Sequence, residues 1–543
     1  MSLPNDLKTV IQGEVLEDEE TLDKYSTDAS IFNIKPKAVV FPKDSSDIKN
    51  LVKFANDHPD VSLTPRSAGT DMSGGAINDS ILMDMTKYFN KIIEIGEDFG
   101  LTQPGVYYRD FEIETLKKGL IFPSYPASKM LCTVGGIASN NSAGEKTLSY
   151  GQTKDYVESL KIIFSDGNEY EIKSLSKEEL DKKIQQNNFE GEIYKRIFEL
   201  IEENKDIIEK SKPTVHKNSA GYYLWDVYDG NTFNLNKLIV GSQGTLGVIT
   251  EIKFKLVKPK PQSSLLVIYL NNLQNLDQIV NEVLRFSPEA FECYDDQTVH
   301  YAVSFLKDML VDFKLNSPTA IYLHFLPEII QNFFNQLPKL VLLANFTGDT
   351  TEEVVNASKK AQDAIKQFNL KTKICNNPQE AEKFWVIRHE SFNLLRHHAN
   401  HMRTAPFIDD IIVRPEKLPE FLPKLKTIME KYKGSMLYTL AGHIGDGNFH
   451  IIPLVDMTKE ETRGAIIQLM EEVNELVIQF KGSLTAEHND GLIRGPFLPE
   501  VFGEDMFQLF KEVKEIFDPK NIFNPHKKTD ATMNYSLGHL SKT

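Results

Sequence analysis

Hydrophobic and polar positions along this chain change period in blocks. From Lys37 the run KAVVF is apolar, a Ser/Asp cap follows, Ile48, Leu51, Val52 and Ala55 share one face, and VSLTP comes next. That order is strand, helix, strand, a compact β-α-β unit suited to a nucleotide-binding layer. SILMDM adds an apolar strand, a helix starts at about Tyr107 and is ended by Gly119, and VESLKIIFSDGNEYEI reads as a hairpin turning at Asp166-Gly167. Mixed sheets are therefore expected in this part of the chain.

After KLIVGSQGTLGVITEIKFKL, the stiff, polar Lys258-Pro259-Lys260-Pro261 marks a domain boundary near residue 262. Beyond it SLLVIYL, NLDQIVNEVLRF, AFECYDD and AIYLHFL alternate strand and helix, and a second round spans 351–456. Two such rounds predict a ferredoxin-like layer over an antiparallel sheet. A helix over 380–399 carries Arg388 and Arg396, and strand-like SMLYTL runs directly into His443. Arg388 is thereby expected within reach of His443. The prolines of FDPKNIFNPHKK end a helix and force an extended path.

Composition narrows the classes. Hydrophobic residues at 41% and charged residues at 25% fit a soluble globular protein with sizeable cores, and 543 residues exceed one ordinary core. A net charge of −16, from 77 acidic against 61 basic residues, disfavours a nucleic-acid partner or a bulk anionic surface. Cys132, Cys293 and Cys375 form no CxxC unit, which argues against an iron-sulfur or disulfide framework and fits a reducing cytoplasm. No apolar run reaches the ~18 residues of a membrane span, and the N-terminus lacks the pattern of an export signal.

The densest candidate chemistry is HIGDGNFH followed by TAEHND. His443 and His450 stand seven apart, which puts them on opposite faces of a continuous strand and about 10 Å apart along a helix. Neither arrangement lets two imidazoles share an ion. Gly445 and Gly447 remove the Cβ penalty for positive φ, so the chain between them can turn and bring the rings together. Glu487-His488 supplies a carboxylate and a second imidazole.

Three glycine-rich loops lie upstream. RSAGTDMSGGA follows a strand and offers backbone N–H groups to a pyrophosphate, CTVGGIASNNSAG is dense in small residues and hydroxyls, and GSQGTLGVITE offers a third close-approach site. Taken in order, these loops with YGQTKDYV, HIGDGNFH, EHNDG and NIFNPHK resemble the FAD-binding fold of vanillyl-alcohol oxidase relatives and its D-2-hydroxyacid dehydrogenase branch. The resemblance covers nearly the whole chain. It implies an α+β protein: a PCMH-type FAD-binding domain of two subdomains over 1–262, a ferredoxin-like antiparallel cap over 263–481, and a segment over 482–543 returning to the FAD domain.

By that resemblance Arg66, Ser67, Gly69, Thr70, Ser73 and Gly74 line the FAD pyrophosphate. Pro126, Thr133, Gly136, Ser139, Asn140 and Gly144 line the flavin and ribityl chain, with Ile249 and Asn524 completing the cofactor set. Thr70 stands where covalent flavoproteins of the fold carry a histidine, so FAD is expected to be non-covalent. His443, His450 and Glu487 are the implied ligands of a divalent metal; the ligand types suit zinc, with manganese or iron as alternatives. His488 is the implied base that takes the substrate hydroxyl proton as hydride leaves for flavin N5. Asn489 replaces the commoner glycine after the EH pair, which bears on the local backbone.

Arg388 in FWVIRHESF is the implied clamp for the substrate carboxylate. Phe392 and Ile452 occupy positions where 2-hydroxyglutarate relatives use polar groups, which favours a monocarboxylate. Trp385 and Phe392, seven apart on one helix, read first as packing and only second as pocket walls, as does Phe449, and His397, His398 and His401 read as a solvated helix end. The implied reaction is oxidation of a D-2-hydroxy acid, first D-lactate, with glycolate and D-2-hydroxyglutarate as alternatives. A non-redox synthase resembling alkyl-dihydroxyacetonephosphate synthase is the alternative of another class. The implied partners are a small 2-hydroxy acid and a separate acceptor: quinone, cytochrome or electron-transfer flavoprotein, with oxygen a further candidate. A cytoplasmic protein, with peripheral membrane contact or a homodimer both compatible, completes the expectation.

Overall fold

The computed structural model describes residues 3–304, 337–397 and 402–542. The predicted strand AIYLHFL, His398 and His401 lie outside the described residues, as do the side chains of Phe392, Arg396 and His397.

The first sheet contains β1 (Glu14–Leu16), β2 (Ala38–Phe41), β3 (Leu63–Arg66) and β4 (Ile81–Asp84), in the order β1-β2-β4-β3. The three strands β2, β4 and β3 are parallel, and the helix Ser45–Asp57 crosses between β2 and β3. Asp44 starts that helix by accepting from the backbone N–H of Ser46 at 2.8 Å, while Ile48, Leu51, Val52 and Ala55 are buried. All four residues of β2 are buried, as expected of a strand covered on both faces.

The second sheet holds β5 (Ile92–Ile95), β6 (Phe99–Thr102), β7 (Val157–Ile163) and β8 (Glu169–Lys173). A small ribbon of β9 (Leu175–Ser176) and β10 (Thr232–Phe233) precedes its central strand β11 (Val248–Lys255), and the order is β5-β6-β11-β7-β8. The β7–β8 hairpin turns at Gly167, whose φ of +76° suits a residue without Cβ. This sheet is antiparallel and the first is mostly parallel.

The third sheet opens at Gln262 with β12 (Gln262–Leu270), followed by β13 (Ala290–Asp295), β14 (Leu340–Gly348), β15 (Lys371–Cys375), β16 (Arg403–Thr404), β17 (Ile411–Ile412), β18 (Met436–His443) and β19 (Asn448–Val455). Its order is β15-β12-β14-β13-β18-β19-β16, with β17 also on β19, and every pair is antiparallel. With helices Leu276–Leu284 and Thr351–Ala364, the first four strands form a ferredoxin-like β-α-β-β-α-β layer. The sheet then continues past it into β18 and β19.

Both faces of this sheet are covered, which is why SLLVIYL reads as one apolar run and not as an alternation. Leu266, Ile268 and Leu270 face the two ferredoxin-like helices, whereas Leu265 and Val267 face the side that packs Phe384 and Ile387 of the helix Pro378–His397. Ala441 of β18 lies on that second side, and so by two-residue periodicity does His443. Arg388 of the same helix reaches Glu292 of β13, which lies beside His443.

The C-terminal segment packs against the first two sheets. Helix Glu504–Phe517 contributes Met506, Phe510, Val513 and Phe517 to the core that contains Leu160, Ile162 and Phe254, and Phe523 lies beside Leu63 of β3.

Candidate active site

The histidines meet because β18 and β19 form a hairpin. His443 pairs with Asn448 and Ala441 with His450, so the rings sit diagonally on one face with centroids 5.1 Å apart. Gly447 has a φ of +76°, and a Cβ there would stand 1.9 Å from Val413 O. Turn and close approach both require glycine.

Glu487 and His488 arrive on a turn shaped by Asp410. Its Oδ2 accepts from Thr485 Oγ1 at 2.6 Å, Glu487 N at 2.8 Å and His488 N at 2.7 Å. Three imidazole Nε2 atoms then converge on one carboxylate oxygen: His450 at 3.2 Å, His443 at 3.5 Å and His488 at 3.7 Å from Glu487 Oε1. Each ring is backed on Nδ1 by another carboxylate. Glu292 Oε1 is 2.6 Å from His443, Asp409 Oδ1 is 3.1 Å from His450, and Asp409 Oδ2 is 2.9 Å from His488.

Carboxylate-backed imidazoles whose outer nitrogens point at one place are the pattern of a metal site. Asp410, His450, Glu487 and His488 also offer donor atoms within 4.8 Å of one another. Asp410 spends Oδ2 on three donors, which suits it to shaping the turn, whereas His443 directs Nε2 inward.

The electrostatics favour a cation. Among the described residues, Glu292, Asp409, Asp410, Asp446 and Glu487 are all buried, against the buried cations Lys217 and Arg494 and the half-buried Arg388. Burial opposes charge on His450, yet Asp409 and Glu487 overcome it and raise its pKa to about 10. Burial likewise opposes charge on His488, and Asp410 and Asp409 raise its pKa. Glu487 is held well below the usual carboxylate range despite burial, by Lys217 and His443. A site that draws protons onto its imidazoles has the donor set and the charge for a divalent ion, so the fit is good.

Arg388, the expected clamp for a substrate carboxylate, directs two of its nitrogens at the chain's own Glu292. Nε and Nη2 each lie 2.9 Å from Glu292 Oε2, so Arg388, Glu292 and His443 form one relay. Ile452 is two residues beyond His450 on β19, on the same face, and 9% exposed. Trp385 stacks on His389, whose Nε2 is 2.8 Å from Glu145 Oε2.

The glycine-rich loops come together around Gln243. Its Nε2 donates to Ser73 Oγ at 3.0 Å and to Asn140 Oδ1 at 3.4 Å, and its Oε1 accepts from Gly491 N at 2.8 Å. Asn140 donates to Asp71 Oδ1 at 3.1 Å. Ser67, Gly69, Thr70, Pro126, Gly136, Ser139 and Asn140 are half-buried, while Ser73, Gly74, Thr133, Gly144 and Ile249 are buried. Thr133 caps the helix Val134–Asn140, accepting from Gly136 N. A Cβ on Gly144 would lie 2.2 Å from Tyr125 O.

Arg66 and Asn524 turn inward. Arg66 donates to Thr27 O at 2.8 Å and Ala76 O at 3.3 Å, and Asn524 ties Thr64, Asn78, Gly75 and Gln243 together. Both brace the loops from behind.

Asn489 explains itself. Its φ is +67°, a region asparagine tolerates, and Nδ2 donates to Asn140 O at 3.1 Å and Gly241 O at 2.8 Å, tying the EH turn to two loops. Asn489→Ala is expected to destabilise the protein by about 2–4 kcal/mol, from left-handed strain and the loss of a donor by one buried and one half-buried carbonyl. A thermal melt indistinguishable from wild type would show that the two bonds carry no stability.

Sequence reasoning missed Glu292, Asp409, Asp410 and Lys217. An acidic pair between apolar residues in FIDDII, and a lone glutamate in the apolar strand AFECY, were the signals available.

Residues 36–173 match the FAD binding domain family, and residues 259–528 match the family of FAD linked oxidases, C-terminal domain. The chain belongs to the FAD-linked oxidases. The family's D-2-hydroxyglutarate dehydrogenase from Pseudomonas putida is 27% identical over 95% of this chain and 50% of its own length. The chain spans about half the length of that relative and of the corresponding protein of Escherichia coli.

The glycolate oxidase subunit GlcD of Bacillus subtilis is 27% identical, covering 93% of this chain and 91% of its own. A D-lactate dehydrogenase of Anaerostipes hadrus is 26% identical over 96% and 94%. Among solved structures, 4-ethylphenol oxidase from Gulosibacter chungangensis superposes with a TM-score of 0.69 at 15% identity, over 98% of this chain and 97% of its own. An alkyldihydroxyacetonephosphate synthase gives 0.64 at 16%, over 96% and 84%. These likenesses establish the PCMH-type fold. No helix among the described residues is long and apolar enough to cross a membrane.

Proposed function

We propose that this FAD-linked oxidase oxidises a D-2-hydroxy acid to its 2-oxo acid, with D-lactate as the first substrate. The observation that carries the reading is the convergence of three carboxylate-backed imidazoles on Glu487 Oε1, in a chain with an FAD-binding domain. His443, His450 and Glu487 would hold a divalent metal, zinc by donor type. The three loops meeting at Gln243 would hold FAD without a covalent bond. When bound, the metal supplies Lewis acidity to a substrate oxygen and the flavin supplies a two-electron acceptor.

His488 takes the hydroxyl proton. Its side chain is the most exposed of the three rings, at 21% against 12% for His450 and 6% for His443, so it faces the approach. Asp409 Oδ2, 2.9 Å from Nδ1, favours a proton on that nitrogen, which leaves the Nε2 lone pair for the substrate. Arg388 acts through Glu292, fixing the ring of His443. Ile452 gives the pocket an apolar wall, which supports a short monocarboxylate over a dicarboxylate. A quinone, cytochrome or electron-transfer flavoprotein then receives the electrons.

Anaerobic mixing of the purified flavoprotein with D-lactate, glycolate and D-2-hydroxyglutarate tests this. D-lactate is expected to bleach the oxidised-flavin band at roughly 450 nm. Bleaching by D-2-hydroxyglutarate alone would refute the substrate inferred from Ile452 and Phe392. No bleaching by any D-2-hydroxy acid, with FAD bound, would refute the reaction class.

A further inference from the structure

Lys217 lies behind the histidine cluster and has no part in the reaction as set out above. Its side chain has no solvent exposure and its Nζ makes no hydrogen bond among the described residues, although Asp446 Oδ2 is 3.3 Å away and Glu487 Oε2 3.5 Å away. Glu487 Oε2 is likewise buried without a hydrogen bond to any described residue. The two oxygens of Glu487 are thus divided. Oε1 faces the three imidazoles, and Oε2 faces the lysine.

We propose that Lys217 is a positioning residue that keeps Glu487 to single-oxygen coordination and thereby sets which divalent ion the site prefers. The inference rests on the reading that His443, His450 and Glu487 hold a metal. An ammonium is a compact charge with three donors, able to occupy one carboxylate oxygen and leave the other outward. A glutamate that offers one oxygen beside two imidazoles suits the small, low-coordinate zinc ion. A glutamate free to chelate through both oxygens suits larger, oxygen-preferring ions of higher coordination number.

The same ammonium reaches the turn of the histidine hairpin through Asp446, whose other oxygen pairs with His216 at the surface. One charge therefore registers the hairpin turn against the EH turn. Substrate contact is the competing role for a buried lysine. Here Lys217 stands on the far side of Glu487, with no exposure, while His488 takes the exposed side.

The test uses the full chain with FAD bound, stripped of metal by a chelator and titrated separately with Zn²⁺ and Mn²⁺ against a competing chelating dye. In Lys217→Met the ratio of the two dissociation constants is expected to move towards manganese by about tenfold or more, the usual scale for outer residues of a metal site. Lys217→Arg, which keeps charge and donors, is expected to hold the ratio within about threefold. FAD content reports the fold of each variant.

An unchanged ratio in Lys217→Met overturns the proposal, and so does a Lys217→Arg shift as large as that of Lys217→Met, which would place the effect in packing. Should Lys217→Met fail to retain FAD, Lys217→Gln carries the test: a shift above about threefold supports the proposal and a smaller one overturns it. A wild-type protein that binds neither ion removes the metal reading itself, an outcome separate from a bound metal with an unaltered ratio.

Discussion

His488→Asn is expected to leave FAD and metal bound and to slow flavin reduction by about 10²–10⁴-fold, the range for loss of a general base. Asparagine preserves the backbone N–H that donates to Asp410 Oδ2 at 2.7 Å, so the turn presenting Glu487 should survive. It cannot take the hydroxyl proton. The ring that is lost stacks on His450, with centroids 5.2 Å apart at 24°, and is the farthest of the three from Glu487 Oε1. Anaerobic stopped-flow reduction with elemental analysis of the same sample decides the matter. Loss of metal together with rate would make His488 a ligand, and a wild-type rate would remove it from the chemistry.

Asp409→Asn is expected to do at least as much damage, because one carboxylate serves two rings. Asp409 Oδ1 faces Nδ1 of His450 and Oδ2 faces Nδ1 of His488, and the side chain is fully buried. As a carboxylate it accepts only, so it draws the Nδ1 proton of both rings and leaves both Nε2 lone pairs inward. An asparagine amide donates on one side and turns the ring it meets to the opposite tautomer. Flavin reduction should fall by about 10³–10⁴-fold, as for loss of the tautomer-fixing carboxylate of a catalytic triad, and metal affinity by about 10–100-fold. A variant with normal metal affinity and a fall in rate of less than about tenfold would show that the two rings hold their tautomers without Asp409.

The parts of this site legible in the sequence are those where chemistry and local geometry coincide. Gly445 and Gly447 between two histidines announced a turn, and the turn is a hairpin with Gly447 at positive φ. The alternation beyond residue 262 announced a ferredoxin-like layer for the same reason, since two-residue and helical periods are local, although the second β-α-β unit runs over 340–375 and not over 351–456. Glu292 and Asp409 were not legible, because their partners lie 151 and 41 residues away and only sheet register brings them close.

Arg388 was legible as a reactive-looking arginine over the site, yet its partner was not. Sequence gave no sign that β13 would place a glutamate under it. The continuation of the ferredoxin-like sheet into β18 and β19 was equally hidden, since SMLYTL looks the same at a sheet's edge as in its middle.

Gln243 joins two glycine-rich loops to the arm that carries Glu487 and His488, and it does so through a primary amide. A carboxamide has no proton to gain or lose in the physiological range, and its donor and acceptor ends are fixed. Acidity that alters the charge on the imidazoles this arm carries leaves the amide as it was, so the glycine-rich loops and the arm keep this fastening while those rings change protonation.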